Sequence, residues 1–224
     1  MRGRRIEFVR RALLASAVGL ALLGAAGLAR AGSYEDYFLG IELDRVGIVR
    51  PLLAKGFDVN ARDPQGQHGL YLALRENSND VADLLLAHPG LDADATNKAG
   101  ETLLMMAALR GRLDTMRGLI ARGAAINREG WTPLHYAASG NDAAATRVLL
   151  DLGAHVDARA PNGNTPLMMA AGFGSIDAAE VLVRQGADVT LQNKAGTTAS
   201  EFARRAGRDT LADQLDKIAA RARR

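Results

Sequence analysis

The sequence predicts an all-α repeat solenoid, a row of short helical hairpins stacked side by side. Three observations predict it. A glycine followed by a polar helix start recurs at Gly66, Gly100, Gly130, Gly163 and Gly196, at intervals of 34, 30, 33 and 33 residues. A fixed period of this size is the mark of a repeat architecture. The text behind each glycine also recurs, and the composition is rich in Ala, Leu and Gly. Aromatic residues make up only 4% of the chain, too few for the strands of a typical sandwich or barrel.

Each column of the repeat has a mechanical reading. Glu101-Thr102-Leu103-Leu104-Met105-Met106-Ala107-Ala108, Trp131-Thr132-Pro133-Leu134-His135-Tyr136-Ala137-Ala138 and Asn164-Thr165-Pro166-Leu167-Met168-Met169-Ala170-Ala171 align without a gap. Thr132 and Thr165 suit a helix N-cap, where a side-chain oxygen accepts from an orphan backbone N–H. Pro133 and Pro166 then fall at the first helical position, where no donor is missed. Leu134 and Leu167 begin the buried stripe, and the alanine pairs let neighbouring helices approach closely. Asn77, Gly111, Asn141 and Gly174 share a column of residues that tolerate the left-handed conformation ending a helix. A second helix follows with an aliphatic pair (Leu119-Ile120, Leu149-Leu150, Leu182-Val183), stopped by Gly123, Gly153 and Gly186. His155-Val156-Asp157 and Asp188-Val189-Thr190 read as short extended segments leading to the next turn.

The Thr-Pro-Leu-His box at 132–135, the alanine pair, the aliphatic pair and the Gly-Ala-x-Val ending resemble the ankyrin repeat. The resemblance covers residue 33 to the C-terminus. It implies antiparallel helix pairs with short β-hairpin fingers projecting from them, and a concave face lined by the first helix of each unit. The expected organisation is a leader at 1–31, an N-terminal capping repeat at 34–66, four central repeats at 67–196 and a C-terminal capping repeat at 197–224. Terminal repeats face water on one side and carry polar replacements for that reason. Three departures stand out. One extra residue lies near His88-Pro89-Gly90, three are missing between Asn127 and Gly130, and Pro51 is expected to kink or shorten its helix.

The first residues read separately. Arg2, Arg4, Arg5, Arg10 and Arg11 form a basic head, Ala12 to Leu28 is apolar, and Ala29-Arg30-Ala31 offers small residues for a signal peptidase. This is the pattern of a secretory signal peptide, and it makes a periplasmic or secreted location the expectation. A retained membrane anchor is the alternative, and a membrane is a partner only in that case. Arg10-Arg11-Ala12-Leu13-Leu14 also resembles a twin-arginine export motif, with Val9 and Ala15 departing from it. The whole chain is formally +3, from 28 basic and 25 acidic side chains. Residues 1–31 hold six Arg and one Glu, which leaves 22 basic against 24 acidic, or −2. A near-neutral mature chain lacks the basic footprint of a nucleic-acid binder. Cysteine is absent, so neither disulfides nor thiol chemistry is available to it.

No constellation of residues carries catalysis. His68 takes the Thr column, His135 belongs to the Thr-Pro-Leu-His box, where it ties the turn, and His88 and His155 fall in loops. None has zinc spacing. Met105-Met106 and Met168-Met169 occupy matching columns two repeats apart. With helices roughly 8–10 Å apart, the pairs are too distant to share a soft metal, and adaptable packing is the plainer role. No cofactor is implied, and Asp44, Asp63, Asp157 and Asp188 are scattered among turns. An enzyme with an unrecognised site remains the rival class.

The expected partner is another protein. The position after the His column, Leu72, Met106, Tyr136 and Met169 with Phe202 in the cap, forms an apolar ridge on the concave face, flanked by Arg75 and Leu109. The same column equally suits gap-filling between stacked repeats. Trp131, the only tryptophan, stands where the repeat favours a polar residue. It is either a binding hot spot or packing across the shortened finger. Arg62, Asp63, Asn97, Lys98, Arg159, Asn162, Asn193 and Lys194 would form a polar rim at the finger tips.

Overall fold

The computed structural model describes residues 32–222, so the leader lies outside the described residues. Six antiparallel helix pairs follow one another. They are α1 (32–42) with α2 (Val46–Ala54), α3 (Gly69–Glu76) with α4 (Asn79–Ala87), and α5 (Leu103–Leu109) with α6 (Leu113–Ala121). The second three are α7 (Pro133–Ser139) with α8 (Ala143–Asp151), α9 (Pro166–Gly172) with α10 (Ile176–Arg184), and α11 (Ala199–Arg205) with α12 (Asp209–Ala222). The first helices from α3 to α11 touch in succession, and so do the second helices from α2 to α10. Two layers result, and the core runs the length of the stack between them.

Leu85, Leu119, Leu149, Leu182 and Leu215 make one buried file through the second helices. Their spacing repeats that of the turn glycines. Each is worth about 1.5–3 kcal/mol of apolar burial, shared between neighbouring units. Ala107-Ala108, Ala137-Ala138 and Ala170-Ala171 are fully buried in the first-helix layer. Among the described residues no helix is long and apolar enough to cross a membrane.

The fingers are reduced. Single antiparallel bridges join Arg62 to His68, Thr96 to Thr102 and Gln192 to Thr198, and among the described residues no strand forms. Four fingers instead close on one turn, with Gly66 N–H donating to Asp63 O, and likewise Gly100 to Asn97, Gly163 to Ala160 and Gly196 to Asn193, at 2.7–3.0 Å. The shortened finger before Gly130 lacks this bond. These glycines have φ between 74° and 84°, a region that disfavours any side chain.

Four expectations are corrected. Pro51 does not shorten its helix, since α2 has the nine residues of α4, α6, α8 and α10. Pro51 and Gly47, whose carbonyl loses its partner, are both exposed, and water can serve that carbonyl. The expected extended segments are turns. Ala158 N–H donates to His155 O at 3.1 Å and Leu191 N–H to Asp188 O at 3.4 Å, with Asp188 Oδ1 accepting from Thr190 N–H at 2.8 Å. Of the helix-ending column, Asn77 and Gly111 are left-handed, at φ 61° and 65°, but Asn141 and Gly174 are not. Gly174 answers a different need, because a Cβ there would lie 1.8 Å from the Ala138 carbonyl oxygen.

Of the four turn aspartates, finally, Asp63 and Asp188 serve their own turns, but Asp44 and Asp157 belong to a series. Asp44 accepts from Val81 N–H at 2.9 Å, at the start of α4 in the next unit. Asn60, Asp94, Asn127 and Asp157 each accept a backbone N–H of the following unit, from Asp92, Ala125, His155 and Asp188 in turn, at 2.9–3.1 Å. They form a ladder that stitches unit to unit.

Candidate interaction face

The face shared by the first helices and the fingers starts from the N-caps. Thr102 Oγ1 accepts from Met105 N–H at 3.1 Å, while Thr102 N–H reaches the Met105 sulfur at 3.3 Å. Thr165 and Met168 repeat this arrangement at 3.3 and 3.4 Å, and Thr198 with Glu201 uses a carboxylate at 2.7 Å. The third helical residue thus reaches back to the cap in each case, which fixes the roles of Met105 and Met168.

His135 performs the same service. Its Nδ1 faces Thr132 N at 3.2 Å and its Nε2 faces the Asn164 carbonyl at 3.0 Å. The ring is fully buried, and burial lowers its pKa. It is the neutral tautomer with the proton on Nε2, which ties the turn as expected and, through Asn164, also joins one unit to the next. His68 caps α3 through Nδ1, which accepts from Leu70 N–H at 3.0 Å, and Nε2 meets Asn60 Oδ1 at 3.1 Å. Burial, with Arg62 nearby, lowers its pKa to about 4.

Tyr71 sits in the column of Met105 and His135, but its hydroxyl turns away to Glu101 Oε2 at 2.6 Å. Tyr136, one unit beyond, donates to Glu101 Oε1 at 2.7 Å, and Asn97 Nδ2 donates to Oε2 at 2.7 Å. Burial pushes the Glu101 carboxyl up, but the bonds from Tyr136, Tyr71 and Asn97 outweigh it and hold the pKa below its ordinary value. Both tyrosines are pushed up, first by burial and then by this carboxylate. The sequence reading missed this network. Its signal is the spacing, since Tyr71 and Tyr136 each stand about one repeat from Glu101.

Leu109, Trp131, Tyr136 and Met169 line one apolar pocket of about 230 Å³, with His135 and Ser139. Trp131 meets His135 edge-on at 5.3 Å between centroids. The pocket adjoins the shortened finger at 127–130. Leu72 and Arg75 belong to a separate hollow of about 510 Å³ near the N-terminal end, walled by Tyr34, Phe38 and Pro64. Leu72 and Met106 are buried, at 8% and 5% exposure. Phe202 is half-buried and pairs with Phe173, itself 61% exposed. The predicted ridge is therefore divided: of its five residues, Tyr136 and Met169 reach the Trp131 pocket, where flanking Leu109 and Trp131 join them.

The expected polar rim is largely engaged in stitching fingers together. Arg62 donates to Thr96 O at 2.5 Å, Arg159 to Gln192 O at 2.6 Å and Asn193 to Asn164 Oδ1 at 2.9 Å, and Asn97 is buried.

A repeat stack with a shallow, partly apolar inner face defines a class of protein that presents a surface. The ankyrin-repeat family model matches residues 44–129, 70–160 and 126–193 in three overlapping copies. The chain belongs to the ankyrin-repeat family. It is 32% identical over 113 residues to the tyrosine-protein kinase HTK16 of Hydra vulgaris, covering 48% of this chain and 15% of that protein. It is 31% identical over 122 residues to human neurogenic locus notch homolog protein 2, covering 53% of this chain and 5% of that one. These relatives are far longer than the stretch they share with it. Among solved structures, it resembles a chain from the complex of the Bd0816 predatory endopeptidase of Bdellovibrio bacteriovorus with immunity protein Bd3460. The likeness has a TM-score of 0.68 and 28% identity, and covers 81% of this chain and 97% of that one.

Proposed function

We propose that the mature chain is an exported, non-catalytic binding module that takes a partner protein on the inner-helix face, centred on the Trp131 pocket. One observation carries this reading. Leu109, Trp131, Tyr136 and Met169, from three successive units, meet in a single apolar hollow. Ankyrin repeats support a protein partner, and the likeness to a chain of an endopeptidase–immunity protein complex makes a peptidase the first partner class to try. The basic-then-apolar leader motivates export to the periplasm, or tethering at the inner membrane where it is retained.

The test uses the processed protein as bait in a periplasmic fraction. Trp131→Ala combined with Met169→Glu is expected to abolish capture while the melting curve stays put. Arg117→Glu on the exposed side of α6 is expected to leave capture intact. Capture that survives the double substitution sinks the proposed face. Met106 is unsuitable for this purpose, because a carboxylate at a buried site unfolds what it was meant to probe. N-terminal sequencing of the exported chain settles its processing, with Gly32 expected as the first residue.

A further inference from the structure

We infer that the inner face reads a partner segment in which a basic side chain stands two residues from a large apolar one. The apolar group fills the Trp131 pocket and the cation rests on Glu101. The inference rests on the protein-binding reading above and adds the chemistry of the segment bound.

Glu101 carries more charge than its structural duty requires. It accepts from two hydroxyls and one amide, all neutral, and no salt bridge involves it among the described residues. In the preceding unit the same column holds Gln67, whose Oε1 accepts from the same Asn97 Nδ2 at 3.1 Å. A neutral side chain thus serves this position elsewhere in the stack. A carboxylate offers about four lone-pair sites, and three are taken here, leaving one on Oε1. The carboxylate is only partly buried, so an approaching donor can reach it. The result is an anion fixed in place without an ion-pair contact, with Arg75 and Arg110 acting only on the adjoining Tyr71, on a face that otherwise offers an apolar hollow.

Tyr136 sets the distance between the two features. Its ring lines the pocket and its hydroxyl bonds Glu101 Oε1, so pocket and carboxylate stand one tyrosine side chain apart. In an extended strand, alternate side chains share a side and are roughly 6.6 Å apart, which matches that span. Arginine suits the second position better than lysine, because its fork can use the remaining Oε1 site while its plane lies on an aromatic ring.

The sole tryptophan stands in the pocket wall and reports binding directly. Capped peptides containing Phe-Ser-Arg, Phe-Ser-Gln, Phe-Ser-Glu or Ala-Ser-Arg are titrated against the processed protein by Trp131 fluorescence, each also in the reverse order, and the tighter-binding order is compared. Phe-Ser-Arg is expected to bind about fivefold tighter than Phe-Ser-Gln, the upper end for a partly exposed ion pair. Phe-Ser-Glu is expected to be weakest, and Ala-Ser-Arg weaker than Phe-Ser-Arg. In Glu101→Gln the Arg-over-Gln preference disappears while the Phe-over-Ala preference stays. Should that variant fail to fold, the native protein still decides. The preference must collapse at about 1 M salt, where screening acts within about 3 Å. Equal affinity for the Arg and Gln peptides, a preference that survives Glu101→Gln or high salt, or no Trp131 response to any peptide overturns the inference. Partner capture that remains sensitive to Trp131→Ala with Met169→Glu shows in that event that the binding reading stands and only this segment chemistry has failed.

Discussion

In the second and third units the ridge column is closed. Leu72 and Met106 are buried, and Tyr71 and Tyr136 converge on Glu101. In the fourth, fifth and sixth units the same column holds Tyr136, Met169 and Phe202, and each keeps part of its surface open. The two halves also hold their junctions differently. The N-terminal half relies on a buried histidine cap and a carboxylate network. Among the described residues, the C-terminal half has no counterpart to that network and relies on a close backbone approach at Gly174. Methionine-sulfur caps occur in both halves, at Met105 and Met168, and His135 supplies a second buried histidine cap. A repeat column thus fixes where a side chain starts, while the neighbouring finger and the adjoining units decide how much of it meets solvent. Where the finger is three residues short, Trp131 and Tyr136 line a hollow.

Replacing Leu149 with Asp is the most severe way to break the comparison. Leu149 is fully buried in the file of leucines, and an unpaired carboxylate there costs several kcal/mol. If the halves share one core, circular dichroism will show both lost together. A residual helical transition confined to the N-terminal half would show that they fold independently. Gly174→Ala strikes the C-terminal half alone. With its Cβ 1.8 Å from the Ala138 oxygen, backbone must move, and a loss of about 3 kcal/mol in denaturant titration is expected.

Acid strikes the N-terminal half. His68 has a folded pKa of about 4, below its ordinary 6.5. The unfolded chain therefore binds the extra proton first as pH falls. The stabilisation is complete above pH 6.5 and is lost as pH drops towards 4, by up to about 3 kcal/mol at 1.36 per pKa unit. His68→Thr restores the cap used by the other units and is expected to flatten this limb of the stability–pH curve. An unchanged limb would remove His68 from the account. The smallest effect is that of Tyr136→Phe, which deletes one donor to Glu101. A loss of about 1 kcal/mol and an upward shift of the Glu101 carboxyl, read by NMR titration, are expected.

The sequence alone determined the fold, because its determinants are local and repeated. Turn glycines, Thr caps, Pro at the first helical position and the leucine files each act within one unit or between identical neighbours. They also brought Leu109, Trp131, Tyr136 and Met169 onto one list. Tertiary structure decided what lies between units. It alone showed that Glu101 gathers Tyr71 and Tyr136 from either side, that the turn aspartates and asparagines form a ladder, and that Gly174 is required by a neighbouring carbonyl. Contacts of that kind join side chains some thirty residues apart, and their existence depends on exact distances between stacked backbones, which no single column of a repeat specifies.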